Sequence, residues 1–194
     1  AIMKHTLANP NRGIITMSAG NHAQAVAYFA NEFNVSSTII MPEQAPFSKV
    51  SRTKELGANV ILKGRTLNET SDFVNNLAKE KNLKLIHPYD DYDVISGQGS
   101  IGIEIFEEIK ELDCIVVPIG GGGLISGISI VAKKINPKIK IFGVESDLYP
   151  SAYNKFKKKN LFCSGDTIAD GIAVKTPGEK TFPIIREYID DIIL

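Results

Sequence analysis

Hydrophobic and polar positions alternate in two different rhythms along the chain. Short apolar runs rich in Val and Ile predict β-strands at residues 13–17, 37–41, 59–62, 84–86, 114–118, 139–144 and 191–194. Longer segments, in which apolar residues recur every three or four positions, predict helices at residues 21–34, 46–56, 67–81, 95–110 and 124–135. Because the two kinds of segment alternate almost strictly, we predict an α/β fold with parallel sheets covered by helices on both faces.

The helix predicted at residues 21–34 shows this pattern clearly. One of its faces carries Ala23, Val26, Ala27, Ala30 and Phe33. An apolar stripe of this kind is what a helix buries against a sheet, so we expect these five side chains to face the core.

Two stretches interrupt the alternation. The sequence HPYDD at residues 87–91 is rich in turn-forming residues and predicts a seam between two domains at residues 88–93. Residues 160–177 contain Gly165, Gly171 and Pro177 and predict a long loop region. Loops of that length in compact domains are often functional.

Composition and charge narrow the function classes. Of the 194 residues, 43% are hydrophobic, as in globular proteins, and 22 basic side chains balance 22 acidic ones. A net charge of zero gives no electrostatic reason to expect nucleic acid or an anionic membrane as a partner. No apolar run approaches the roughly eighteen residues of a membrane-spanning helix, and no basic-then-apolar leader is visible. We therefore expect a cytoplasmic location.

The histidines and cysteines form no metal or redox motif. Cys114 and Cys163 lie far apart without CxxC spacing, and His5, His22 and His87 do not cluster. We expect no metal site from these residues. Cys114 stands in a predicted apolar strand, where a free thiol is usually a small core residue.

The sequence IGGGGL, with glycines at residues 120–123, follows the strand predicted at 114–118 and precedes the helix predicted at 124–135. Without Cβ atoms the backbone can approach a ligand closely and direct several N–H groups at it. The N-terminus of the following helix adds partial positive charge at the same place. This combination predicts an anion site, most often for phosphate.

Three alternatives bear on this loop. A Walker A motif is excluded because no Gly-Lys-Ser/Thr closes the loop. Gly121, Gly123 and Gly127 give a loose dinucleotide spacing, and Glu145 ends the next predicted strand, where an acidic residue can hold a ribose. A nicotinamide-dinucleotide module therefore stays open. The third alternative is a tight turn without a ligand, although four glycines exceed what a turn needs.

A second candidate loop, SAGNH at residues 18–22, lies between the first predicted strand and the helix at 21–34. In a parallel sheet this is the carboxyl end of a strand, where open α/β folds bind ligands. Small residues let backbone N–H groups face an anion, and the Asn21 amide can donate to a phenolate-type oxygen. The alternative is a simple helix start, with Ser18 or Asn21 as N-cap and His22 in the first turn.

Four motifs, in order along the whole chain, closely resemble the threonine dehydratases. They are SAGNHAQ at residues 18–24, SGQGSIG at 96–102, PIGGGGL at 118–124 and TIADGIAV at 167–174. The threonine dehydratases, with the serine dehydratases and serine racemases, form a tryptophan-synthase-β-like group of pyridoxal-phosphate enzymes of fold type II. The resemblance implies the same two-domain fold and pyridoxal 5′-phosphate as cofactor.

The resemblance also implies roles for matched residues. Asn21 would hydrogen-bond the 3′-oxygen of the pyridoxal ring, and Ser18, Gly20 and His22 would receive the substrate carboxylate. The phosphate would be cradled by backbone N–H groups of Gly120, Gly121, Gly122, Gly123 and Leu124. Asp170 and Gly171 would lie near the ring.

The resemblance further implies how the 194 residues map onto the family's domains. Residues 1–12 would belong to the N-terminal part of the larger domain, residues 13–90 would form the smaller α/β domain, and residues 91–194 would be part of the larger domain. The family's Schiff-base lysine stands in a Ser-Phe-Lys-x-Arg-Gly-Ala motif, whose last alanine matches Ala1. We therefore expect no catalytic lysine within these residues, an isolated chain without activity, and a fold incomplete at both ends.

Two matched positions refine the expected reaction. Racemases of the group tend to carry serine at the position of Ala19, so alanine there favours β-elimination of L-threonine or L-serine to a 2-oxo acid and ammonia. The group's divalent-cation site would use Glu145, but its later acidic ligand corresponds to Ser151, so no metal is expected. Members of the family usually form homo-oligomers and act on a small amino acid, so the resemblance implies both for the full-length protein.

Overall fold

A computed structural model describes residues 1–9, 11–64 and 67–194, and within this part the chain divides into two compact units, Ala1–Pro88 and Tyr89–Leu194. Each unit contains one sheet made only of parallel strands. The predicted α/β class with parallel sheets is confirmed. The assignment of residues 1–12, 13–90 and 91–194 to the family's domains stays a prediction.

The first unit is built around a four-stranded sheet. In chain order its elements are α1 Ile2–Ala8, β1 Ile14–Met17, α2 Asn21–Glu32, β2 Ser37–Met41, α3 Phe47–Glu55, β3 Asn59–Leu62, α4 Leu67–Glu80 and β4 Lys84–Leu85. The strand order is β3-β2-β1-β4. Ile14 and Ile15 of β1, and Ile39 and Ile40 of β2, have no exposed surface. The carboxyl end of a fully covered inner strand therefore leads directly into the candidate loop at residues 18–22.

Helix α2 buries most of its predicted face. Ala23, Val26, Ala27 and Ala30 are buried. The prediction for Phe33 was wrong: its side chain is 37% exposed and stacks on Phe29, with ring centroids 6.5 Å apart. The helix ends at Glu32 and Phe33 is its C-cap residue, so the helical periodicity no longer directs this side chain inward.

The second unit has a three-stranded sheet of order β5-β6-β7. Its elements are α5 Tyr92–Glu108, β5 Cys114–Pro118, α6 Gly123–Ile135, β6 Lys140–Val144, α7 Ser151–Lys157, a 3-10 turn at Asp170–Ile172, α8 Thr181–Tyr188 and β7 Asp191–Ile193. Helix α5 begins three residues earlier than predicted because the Asp91 carboxylate accepts hydrogen bonds from the Asp93 and Val94 N–H groups. Helix α8 was not predicted.

Strand β5 corrects the expectation for Cys114. Its residues alternate between exposed and buried, with Ile115 and Val117 in the core and Cys114 and Val116 exposed. The strand lies at the edge of its sheet. Successive side chains of a strand point to opposite faces, and only one face of β5 is buried. Cys114 is therefore exposed because its neighbour Ile115 lies on the buried face.

No helix among residues 1–9, 11–64 and 67–194 is both long enough and apolar enough to cross a membrane.

Candidate functional site

The glycine loop connects β5 to α6 in the second unit. Gly120 is half-buried, Gly121, Gly122 and Gly123 are buried, and Gly123 is the first residue of α6. Gly122 is the N-cap residue and has a left-handed backbone with φ of 94°. Side chains with a Cβ rarely adopt this conformation, so glycine is required at this position by the turn itself.

Three backbone N–H groups of the loop have no protein acceptor within the described part of the chain. Those of Gly120, Gly121 and Gly122 lie outside regular structure and donate to no described residue. By contrast, the Gly121 carbonyl accepts from the Thr181 hydroxyl at 2.6 Å and from the Gly178 N–H at 3.2 Å. In a trans peptide the C=O and the next N–H point in opposite directions. Fixing the Gly121 carbonyl therefore turns the Gly122 N–H away from α8.

Packing supplies a further reason for glycines in this loop. A Cβ on Gly121 would overlap the Tyr89 ring, and one on Gly123 would come within 3.1 Å of the Tyr89 backbone. A Cβ on Gly122 would lie 2.7 Å from Ile185 Cδ1 and 2.8 Å from Thr181 Oγ1. Close protein contacts therefore explain part of the surplus of glycines. The evidence for a ligand is the set of open N–H groups.

The predicted neighbours Asp170 and Gly171 lie at the same loop. A Cβ on Gly120 would lie 3.1 Å from Ile172 Cα and 3.4 Å from the Gly171 carbonyl oxygen. Asp170 and Gly171 form the 3-10 turn and are exposed. The structure thus brings the 167–174 motif and the glycine loop together, although they are far apart in sequence.

Three residues of this site were not predicted as functional. Tyr89 packs on the loop, Thr181 fixes the Gly121 carbonyl, and Asp90 accepts hydrogen bonds from the Glu179, Lys180 and Thr181 N–H groups at 3.2, 2.8 and 3.2 Å. Asp90 therefore caps α8. Burial, and secondly the charge of Asp90, raises the pKa of the Tyr89 hydroxyl above its usual value. In sequence, Tyr89 and Asp90 looked only like part of a turn.

The second candidate loop lies in the first unit, at the carboxyl end of β1. The Ser18 N–H donates to the Ile40 carbonyl of β2, and the Ser18 hydroxyl accepts from the Gly20 N–H at 3.2 Å. The N-cap residue of α2 is Gly20, with no side-chain cap, so neither Ser18 nor Asn21 plays the capping role considered above. Asn21 is exposed, and its amide makes no hydrogen bond to a described residue.

His22 faces inward within the first unit. Its Nε2 lies 3.0 Å from Thr16 Oγ1 and 3.3 Å from the Ile86 carbonyl oxygen. Thr16 donates its own proton to Ile86 at 2.7 Å, and a carbonyl can only accept, so Nε2 carries the proton. Burial lowers the pKa of His22 to about 4, with the hydrogen bond to Ile86 opposing and His87 adding to the shift. The ring is therefore neutral at pH 7. The role of His22 toward a substrate stays a prediction, and the groups that could serve it are Nδ1 and the backbone N–H.

Glu145, at the end of β6, is only 3% exposed. Its carboxylate accepts from the Ala152 N–H at 2.9 Å, the Tyr153 N–H at 2.7 Å and the Ser151 hydroxyl at 3.3 Å. Burial raises the pKa of Glu145, and these hydrogen bonds partly offset the shift. The carboxylate is thus engaged by the start of α7, which weighs against the ribose-binding role of the dinucleotide alternative. No group of three or more metal-ligating side chains occurs among the described residues.

We expect Glu145→Ala to lower the free energy of unfolding by about 2 kcal/mol, because buried N–H groups at the start of α7 lose their acceptor. Urea unfolding at pH 7 measures this. The matched control is Asp147→Ala, two residues further on, whose carboxylate is exposed and receives only a 3.5 Å contact from Ser146; it should change stability by less than about 0.5 kcal/mol. Equal midpoints for the two variants would contradict the capping role of Glu145.

Comparison with known proteins identifies the enzyme family to which the chain belongs. The family model described as "Pyridoxal-phosphate dependent enzyme" matches residues 1–194. The chain belongs to this family of pyridoxal-phosphate-dependent enzymes, so the predicted cofactor class is confirmed and the nicotinamide-dinucleotide alternative is not favoured.

Individual relatives narrow the comparison within that family. L-threonine dehydratase catabolic TdcB of Staphylococcus aureus (strain N315) is 46% identical over 185 residues, which cover 94% of this chain and 54% of the relative. The processed form of threonine deaminase isoform 2 from Solanum lycopersicum has a TM-score of 0.88 at 39% identity, covering 98% of this chain and 54% of that one. Maize serine racemase has a TM-score of 0.88 at 37% identity, covering 94% and 56%. The resemblance to threonine dehydratases and serine racemases is confirmed, and the chain spans about half the length of the curated relatives that it matches.

Proposed function

We propose that the protein in its natural full length catalyses the pyridoxal-phosphate-dependent β-elimination of L-threonine or L-serine, giving a 2-oxo acid and ammonia. The observation that carries this proposal is the row of open N–H groups at Gly120, Gly121 and Gly122, which leads into the N-terminus of α6. The cofactor supplies the electron sink for this chemistry when it is bound.

The glycine loop fits a phosphate group. Hydrogen bonds to a charged partner contribute more than neutral ones, about 1.5–3 kcal/mol each. The positive end of the α6 macrodipole favours an anion at the same place. Gly122 and Gly123 are buried, so these donors are partly withdrawn from solvent before a ligand arrives. We propose that Gly120, Gly121, Gly122, Gly123 and Leu124 hold the phosphate.

The loop before α2 fits a carboxylate and a ring oxygen. The N–H groups of Asn21, His22 and Ala23 open α2, and no side chain caps them. We propose that Ser18, Gly20 and His22 orient the substrate carboxylate here, with His22 contributing through its backbone N–H or Nδ1. The exposed Asn21 amide is free to donate to the ring oxygen of the cofactor. We propose that Asp170 and Gly171, which lie beside Gly120 in the second unit, are near the cofactor ring.

Ala19 supports elimination over racemisation. Its methyl group can neither hold nor move a proton, whereas the serine that racemases tend to carry at this position can do both. Elimination requires a proton to leave the α-carbon from one face only. Serine racemases are among the similar structures, so the test measures racemisation beside elimination.

The test is product analysis with the cofactor-loaded full-length protein. We expect 2-oxobutanoate from L-threonine and pyruvate from L-serine, with little D-amino acid. Asn21→Ala should lower kcat/KM by about 100-fold, at the lower end of what the loss of one electrostatic donor typically costs. The matched control, Asn76→Ala on the exposed face of α4, should stay within twofold. Racemised amino acid as the main product, or an unchanged kcat/KM for Asn21→Ala, would overturn the proposal.

Assembly and cellular location stay predictions. The homo-oligomer follows from the family resemblance alone, and sedimentation of the full-length protein would measure it.

A further inference from the structure

Tyr89 and Asp90 are both linked to the glycine loop within the second unit. Tyr89 packs on the loop directly, and Asp90 is linked to it through Thr181. Tyr89 fills the space in which the Cβ atoms of Gly121 and Gly123 would lie. Asp90 holds the N–H groups of Glu179, Lys180 and Thr181.

The second route continues through Thr181. With its N–H group held by Asp90, Thr181 donates its hydroxyl proton to the Gly121 carbonyl at 2.6 Å. Its own carbonyl accepts from the Ser126 hydroxyl of α6 at 3.3 Å. The Asp90 carboxylate, by holding Thr181, thus fixes the carbonyl of the Gly121–Gly122 peptide, and the Tyr89 ring packs against Gly121 itself.

This peptide carries one of the open donors. If its plane rotated, the Gly122 N–H would no longer point in the direction set by the held carbonyl. An oriented donor binds an anion more tightly than one that must reorganise, because no ordering has to occur on binding. The contacts of Tyr89 and Asp90 therefore bear on affinity for the anion and not only on folding.

We propose that Tyr89 and Asp90 are positioning residues that set the affinity of the glycine loop for phosphate, by fixing the Gly121–Gly122 peptide. The inference rests on the proposed function, since it takes phosphate as the ligand of this loop. If the inference is correct, loss of the Tyr89 ring weakens binding of the phosphate group more than binding of the rest of the cofactor.

The experiment compares pyridoxal 5′-phosphate with pyridoxal, which lacks the phosphate, by titrating the cofactor-free full-length protein and following absorbance. The measured quantity is the ratio of the two dissociation constants. We expect the unaltered protein to favour the phosphate ester by more than about 100-fold, since several charge-assisted hydrogen bonds are involved. Tyr89→Ala should reduce that ratio by at least about tenfold, which corresponds to ~1.4 kcal/mol.

Two variants separate positioning from general stability. Tyr89→Phe retains the ring and should keep the ratio within about threefold of the parent, because the ring fills the space beside Gly121. Tyr92→Ala removes a 65% exposed ring from the same segment and should leave the ratio unchanged. If Tyr89→Ala does not fold, Tyr89→Leu, which retains apolar volume without a planar ring, carries the same comparison.

The outcomes distinguish this inference from the proposed function. A ratio near one in the unaltered protein overturns both the phosphate assignment and the inference. A large ratio that persists in Tyr89→Ala, with both constants rising together, overturns the inference alone, because it would mean that Tyr89 only stabilises the fold.

Discussion

Gly127→Ala is expected to lower the free energy of unfolding by about 3 kcal/mol, at the upper end of what overpacking usually produces. A Cβ at this position of α6 would overlap the Ile95 carbonyl oxygen, and would lie 2.6 Å from the Gly99 nitrogen and 2.8 Å from the Gln98 carbonyl carbon. All three atoms are backbone atoms of α5. Rotamer changes cannot relieve such contacts, so the two helices would have to move apart.

Separation of these helices would disturb more than one contact. A Cβ on Gly99 or Gly102 would lie 3.2 or 3.1 Å from the Val131 side chain, so close approach extends along the α5–α6 interface. Helix α6 also begins with the glycine loop. We therefore expect Gly127→Ala to weaken phosphate binding as well as stability.

Urea unfolding of Gly127→Ala and Gly97→Ala tests this prediction. Gly97 lies in α5 like Gly99, but a Cβ there would meet nothing within 4 Å. The control should therefore gain about 0.5–1 kcal/mol, the usual preference for alanine over glycine within a helix. A Gly127→Ala variant as stable as the parent would mean that the helices do not approach as closely as the structure shows.

Local sequence patterns predicted most of the secondary structure. The strands predicted at 37–41, 59–62 and 114–118 coincide with β2, β3 and β5, because β-branched runs bounded by turn residues have few alternatives. Helix α8 was missed although Phe182, Ile185 and Ile189 have helical spacing and are buried. It is short, contains Pro183 in its first turn and follows a long irregular segment, so its pattern covers barely two turns.

The candidate site could be predicted only where it depends on neighbours in sequence. The glycine loop was located correctly between β5 and α6, since a strand, a glycine run and a helix start are contiguous. The partners that orient it were not predicted, because Tyr89 and Thr181 reach Gly121 from distant parts of the chain. The inward orientation of His22 likewise depends on Ile86, 64 residues away.

His22 makes folding sensitive to mild acid. The pKa of His22 is about 4 in the folded state, against an ordinary value near 6.5 in an unfolded chain. Between these two values the unfolded state binds more protons, so stability falls as the pH falls through this window. Above pH 6.5 the ring is neutral in both states and contributes no slope.

Other groups act in different windows or with the opposite sign. The pKa of Asp190 is lowered from its ordinary value of 3.8 to about 2, chiefly by its hydrogen bond from Lys140 and despite some desolvation. The stability that Asp190 contributes is therefore lost only as the pH falls below 3.8. The pKa of Glu145 is raised by burial from its ordinary value of 4.5. Protonation of Glu145 therefore favours the folded state as the pH falls toward 4.5, which opposes His22. A substitution at His22 is needed to separate the two.

We expect the parent protein to lose up to about 3 kcal/mol between pH 7 and pH 4 through His22, since each unit of pKa shift is worth about 1.4 kcal/mol. His22→Gln removes the titration, and its side-chain amide can still donate to Thr16 and Ile86. Urea unfolding of both proteins at pH 7, 5.5 and 4.5 measures the effect as a difference in slope. The two curves should converge toward acid, with His22→Gln the flatter one. Parallel curves would contradict the prediction, because they would mean that His22 takes up a proton as readily in the folded protein as in the unfolded chain.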